Sequence, residues 1–409
     1  MRKPIDRACV RKMSAFRLPA LAAVLAAAGL CAAAAPGVGR LESPVRHEIL
    51  SCDRNHYILD EPCAFPATEF PIGYVGAVAV DPLGQVHFSS PNVVYRIDSK
   101  GLLIRVAGTG SPGFSGDGGP ARDAELNFPQ WYPERENDPM DWSELLGPLA
   151  FDPAGNLYIG DAYNHRVRRV DVRGFIDTVD YGGGPQGVAV DAKGNLYVAG
   201  GAWGVLHRLA PDGTITPLAG GDCGSLSAGL CVPEGIAVDS LGNVYVADGF
   251  CRIRLVSPEG AIKTVAGRET PDRHGWAYTC GYTGDGPAPT SALAWPFAVA
   301  LDAAGNLLIA DTGNHCIRKV DAQRMLTTIV GKCGGTGGFG GDGGPARDAL
   351  LKAPHGVAVD AAGNIYIADT ENHRVRMVNV EGVISTIAGN GVRKCRTVSV
   401  WAIEACDAP

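Results

Sequence analysis

The sequence predicts an all-β protein, a closed six-bladed β-propeller of four-stranded blades with long loops on one face. Three observations predict it. Residues 354–389 read as four short strands, the turn Asp-x-x-Gly-Asn that joins two of them recurs along the chain, and copies lie about 40 residues or more apart, the period of a propeller blade. Glycine is used 55 times in 409 residues, as suits a chain of many tight turns.

Residues 354–389 read PHGVAVDAAGNIYIADTENHRVRMVNVEGVISTIAG. Apolar runs at 356–359, 364–368, 374–378 and 383–388 are rich in Val and Ile, and Gly, Asn and Asp separate them. Such runs form antiparallel strands rather than a helix. The turn recurs as Asp81 with Gln85, then Asp152–Asn156, Asp191–Asn195, Asp239–Asn243, Asp302–Asn306 and Asp360–Asn364, always with Gly in the fourth position. A tight turn needs a residue tolerant of positive φ, which Gly followed by Asn supplies. Six copies imply six blades, because the ring must close to leave no bare sheet edge.

In chain order, six bases and an Ala/Leu run ending in small residues give 1–35 the layout of a secretory signal peptide, too short for a membrane span. Residues 36–75 form a flanking segment that either adds an outer strand or packs under the ring. The propeller occupies 76–389, and 390–409 is a tail. No later stretch is apolar enough to cross a bilayer, so the expected location is exported, periplasmic or extracellular. Formal net charge is −7 for the chain and −12 after removal of 1–35. An acidic body gives nucleic acid no electrostatic reason to bind. Ten cysteines outside the leader favour disulfides. Shared-face geometry suggests Cys251–Cys280 and Cys316–Cys333, a local Cys223–Cys231, and flanking pairs Cys52–Cys63 and Cys395–Cys406.

In four-stranded blades the loop after strand two and the connector to the next blade share one face. Insertions concentrate in connectors 109–146, 268–295 and 332–353. Loops on a rigid scaffold are where binding residues commonly sit. Three of these connectors carry a Gly-Asp-Gly motif, at Asp117, Asp285 and Asp342. Ca²⁺ is one reading; an Asp-stabilised turn that plants Leu126, Leu293 or Leu350 on the ring is preferred, because each loop brings one carboxylate and Ca²⁺ wants six or more oxygens. Aromatics gather on the same face: Trp131, Tyr132, Trp142, Trp276, Tyr278, Tyr282 and Trp295 in connectors, and Tyr163, Trp203 and Phe250 after strand two. They suit sugar rings, peptides or a protein, although long loops also bury aromatics as small cores of their own.

Residues 160–167, 310–315 and 368–375, reading GDAYNHRV, ADTGNH and ADTENHRV, resemble the signature of NHL-repeat β-propellers. The long connectors are similar to those of bacterial exported NHL proteins and of the teneurin-type NHL domain. The likeness covers 76–389, with Pro91-Asn92, Ala202-Trp203-Gly204 and Phe250-Cys251 departing from it. It implies the propeller fold but not one activity, since the family includes ligand binders, scaffolds and a lyase. Propeller lyases and lactonases of related fold hold a metal at the mouth of the central channel. The residues expected there are Val75, Leu146, Gln186, Glu234, Phe297 and His355, of which only Glu234 and His355 could ligate. The histidines His165, His315 and His373 sit on different blades, too far apart for one Zn²⁺, and are read as fixing the strand-two turn. The sequence therefore predicts a binding or interaction module for a protein, peptide or glycan, with Trp131, Tyr132, Trp142, Trp203, Trp276, Glu234 and His355 as binding residues and no catalytic residue, metal or cofactor assigned. The alternative is a metal-dependent lyase or hydrolase at the channel mouth.

Overall fold

The computed structural model of the protein describes residues 65–128, 147–179, 183–200, 204–220, 229–249, 251–268 and 280–392, and the backbone of 397–399 and 402–403. Six antiparallel sheets contain four strands each in sequence order, with a fifth short strand on three of them. The innermost strands are Val78–Val80, Leu149–Phe151, Pro185–Val190, Pro233–Val238, Pro296–Leu301 and Pro354–Val359. The outermost are Leu102–Ala107, Phe175–Val179, Ile215–Ala219, Ile262–Ala266, Met325–Val330 and Ile384–Ala388. Each set is one strand per blade, so the fold is a six-bladed β-propeller.

The recurring turn is held by its own side chains. The Asp360 carboxylate accepts the Asn364 backbone N–H at 2.8 Å and the Asn364 side-chain amide at 2.7 Å. The same double bond pattern stands at Asp152, Asp191, Asp239 and Asp302. At Asp81 the backbone bond is kept, and Gln85 turns its amide oxygen to Arg96 instead.

The core lies between blades rather than within any one. Leu308 and Ala310 of blade 5 pack with Val357 and Ile367 of blade 6, and the other boundaries are filled in the same way. Small residues on the inner strands let neighbours approach; a Cβ at Gly187 would collide with the carbonyl of Glu234 on the next blade.

Connectors bolt adjacent blades together. After blade 1 the chain lays Gly119–Pro120 along the outer strand of blade 2, and the next residue, Ala121, accepts the N–H of Gly108 from blade 1 at 3.0 Å. Ala288 and Ala346 accept from Gly267 and Gly331 in the same way. The described end of the flanking segment, 65–75, acts as one more such connector. Phe65–Pro66 pairs with the outer strand of blade 1, and Ala67 accepts the N–H of Gly389 from blade 6 at 2.8 Å. Of the two placements open for 36–75, its end at 65–70 takes the outer-strand one. Thr370 completes the closure by donating its hydroxyl to the carbonyl of Val75 at 2.7 Å.

Candidate functional site

The signature residues of blades 2, 5 and 6 form a clip between strand two and the preceding connector. In blade 6, Asp369 at the end of strand two accepts the N–H of Lys352 at 2.8 Å, and Asn372 donates to the carbonyl of Gly338 at 2.7 Å. Arg376 from strand three is fully buried; it donates to Asp369 at 3.2 Å and to Asp342 at 2.7 Å. Thr386 donates to the other Asp342 oxygen at 2.7 Å. Arg168 with Asp161 and Asp117, and Arg318 with Asp311 and Asp285, repeat the arrangement. Burial pushes the carboxyls of Asp311 and Asp369 up to about 6, against the pull of Asn and Arg donors. The three Gly-Asp-Gly carboxylates thus face guanidinium groups and hydroxyls, poor company for a cation. The short helical turns that follow bury Leu126 and Leu293 as the sequence suggests, but in the third it is Leu351, not Leu350, that is inside; Leu350 is 38% exposed.

The repeated histidine caps the turn in a left-handed conformation, with φ of 55°, 59° and 52° at His165, His315 and His373. Asn92 and Cys251 hold the same conformation on blades 1 and 4. These residues reach toward the next blade. His315 Nδ1 accepts the N–H of Ala353 at 3.1 Å, and the His373 ring meets Tyr74 edge-on at 4.6 Å. The turn-fixing role read from sequence therefore extends to the blade boundary.

At the channel mouth the expected ring needs correcting. Val75 is wholly buried in the blade 6–blade 1 core, and Gly76 faces the channel in its place. Leu146 lies outside the described residues, and Pro148 lines the channel on blade 2. Gln186, Phe297 and His355 do line it, around a cavity of about 70 Å³. Glu234 does not; it is 2% exposed, and burial together with the nearby Asp248 pushes its carboxyl well above the ordinary range. His355 stacks edge-on against Phe297 at 4.6 Å, and its enclosure lowers the imidazole to about 4. Among the described residues no three His, Cys, Asp or Glu side chains converge to hold a metal.

On the loop face Cys251–Cys280 and Cys316–Cys333 are disulfides, with Cα–Cα distances of 5.4 and 5.2 Å. Cys231 is buried; Cys223, Cys52, Cys63, Cys395 and Cys406 lie outside the described residues. So do Trp131, Tyr132, Trp142, Trp203, Trp276, Tyr278 and Phe250. Trp295 is half-buried at a blade entrance, while Tyr163 and Tyr282 are 47% and 44% exposed.

Sequence reasoning missed two rings. Phe114 and Phe339 are 44% and 45% exposed, and with Tyr282 they stand three residues before the clip aspartates Asp117, Asp342 and Asp285. That constant offset was the available signal. Each ring is braced by guanidinium: Arg166 lies 4.1 Å and Arg168 5.0 Å from the Phe114 centroid, Arg374 3.7 Å and Arg376 4.9 Å from Phe339, and Arg318 5.3 Å from Tyr282. Cation–π contact of this kind fixes an exposed ring in one orientation.

Fold and clip together define a propeller whose blades are tied by a repeated Asp–Asn–Arg signature. The propeller carries NHL-type repeats: the NHL repeat model matches residues 230–256 and 293–320, and the teneurin NHL domain model matches 335–402. NHL repeat-containing protein 2 of Gallus gallus is 37% identical over 108 residues, and that of Homo sapiens 34% over 113. Each match covers 26% of this chain but 14% of the relative's length. Among solved structures, a protein of unknown function from Bacteroides thetaiotaomicron VPI-5482 superposes with TM-score 0.57 at 18% identity, over 78% of this chain and 72% of that one. Auxiliary nutrient binding proteins from the same strain and from Bacteroides ovatus ATCC 8483 give 0.54 and 0.53 at 17% and 16% identity. Those matches cover 77% and 80% of this chain and 70% and 71% of theirs. At such identity the likeness is one of fold.

Proposed function

We propose that this is an exported binding module that captures a protein, peptide or glycan on its loop face. One observation carries the reading: Phe114, Tyr282 and Phe339 are held half-exposed at equivalent places on three blades, each braced by arginine. A ring fixed before the ligand arrives loses little entropy on binding and offers a flat apolar plate. The two disulfides anchor the connectors that bear Tyr282 and Phe339, and disulfides suit an oxidising compartment outside the cytosol. Two relatives in fold are named auxiliary nutrient binding proteins, which agrees with a capture role. The test is the triple variant F114A/Y282A/F339A against a panel of glycans, peptides and envelope proteins. Affinity for whatever the wild type captures should fall at least tenfold while the thermal midpoint moves little. Undiminished capture by the triple variant would refute the loop-face site.

A further inference from the structure

The arginines that brace these rings divide into two kinds. Arg168, Arg318 and Arg376 are buried and ion-paired to clip aspartates. Arg166 and Arg374 are half-buried and meet no carboxylate among the described residues, in a chain with a net charge of −7. Arg166 spends one N–H: its Nε donates to the carbonyl of Asn164 at 2.9 Å. The cation–π contact with Phe114 and that bond hold the guanidinium in place, and its NH1–NH2 edge meets no acceptor among the described residues. Arg374 donates to the carbonyls of Asn372 and Asn390 at 2.8 and 3.0 Å, so three of its five N–H groups remain. A guanidinium fork held rigid beside an exposed ring is a receptor for two features in one ligand. The fork takes a carboxylate in bidentate fashion, and the ring takes a flat apolar face.

We infer that Arg166 with Phe114, and Arg374 with Phe339, are paired subsites for a carboxylate-bearing sugar, so that the ligand of the loop face is an acidic, uronate-containing glycan. The inference rests on the loop-face reading and narrows it. A uronate seated at the rim of the phenyl ring sets C–H groups against it and turns its C6 carboxylate to the free N–H groups of the guanidinium beside that ring; an acidic peptide offers the charge without the plate. Lysine at either position would keep the charge and lose the fork.

Binding of the full chain to polygalacturonate, to its methyl ester and to poly-glutamate tests this by calorimetry at two salt concentrations. Polygalacturonate should bind, more weakly at higher salt. The ester and poly-glutamate should bind at least tenfold more weakly. R166Q alone, which breaks no ion pair, should lose several-fold in affinity, R166Q/R374Q at least tenfold, and R166K/R374K should fall between the wild type and the glutamine pair. Equal binding of the ester, equal binding of poly-glutamate, no binding of polygalacturonate, or glutamine variants that bind like wild type would each overturn it. If F114A/F339A abolishes capture of another ligand while R166Q/R374Q does not, the loop face stands and the acidic sugar falls.

Discussion

Single residues show how burial sets charge in this ring. His355 lowers its pKa to about 4 because the channel mouth desolvates the imidazole. The unfolded histidine keeps a value near 6.5, so between pH 6.5 and 4 the unfolded chain binds more protons and acid favours unfolding. The contribution is fully present above pH 6.5 and is lost as pH falls through that window. Asp311 and Asp369, raised to about 6, act with the opposite sign, binding more protons when folded. The wild-type curve therefore mixes both. Comparing wild type with H355Q in denaturant titrations isolates the histidine: lowering pH from 7 to 5 should cost the wild type about 1–2 kcal/mol more than the variant, and parallel curves would contradict the shift. Arg376 offers the converse case. R376M leaves Asp369 buried without its cation, and stability should fall by about 3–5 kcal/mol; a loss under 1 kcal/mol would mean that Asp369 is neutral in the folded chain.

Elements explain what the sequence revealed and what it hid. Strands and Asp–Asn turns were legible because the turn chemistry is local: Asp360 binds residues only four positions away. The pairings of Cys251 and Cys316 were legible because blade topology places strand-two loops and connectors on one face. The mouth was misjudged at Val75 because blades 1 and 2 lack the proline that opens the other four inner strands, and the count back from the turn landed one residue early. Leu350 was preferred to Leu351 because a single short turn decides which of two adjacent leucines points inward. Phe114 and Phe339 were missed because their bracing depends on arginines 35 to 54 positions away, which no local pattern announces. The connectors should owe their order to their ties. C316S/C333S opens a loop of 17 residues and should cost about 3 kcal/mol. Amide exchange should accelerate in 333–351 and stay unchanged in the connector at 109–128, which no disulfide in the described residues reaches. Uniform acceleration across both connectors would show that the disulfide holds the ring rather than its loop.

For the whole molecule, the central question is how a ring of identical contacts ends. Blade 1 and blade 6 each draw their four strands from one continuous run, so no blade is built from both ends of the chain. Among the described residues closure therefore rests on 65–76, which imitate a connector. Phe65–Pro66 replaces Gly119–Pro120, Ala67 replaces Ala121 as acceptor, and Phe70 and Ile72 fill the boundary that leucines fill elsewhere. Each of the other five boundaries is joined by the covalent chain itself, whereas among the described residues this one is held by packing and hydrogen bonds. A cavity there weakens the one contact whose loss opens the circle. I72A, at a residue 1% exposed and pressed against Gly389, should cost about 2–5 kcal/mol. Its effect on cooperativity should exceed that of L293A, a comparable cavity at the blade 4–blade 5 boundary. With I72A, amide exchange should rise first in the outer strand of blade 6 and in blade 1, ahead of global unfolding. If both variants lose stability equally and exchange rises evenly around the ring, the clasp is only another core contact and closure is shared among all six boundaries.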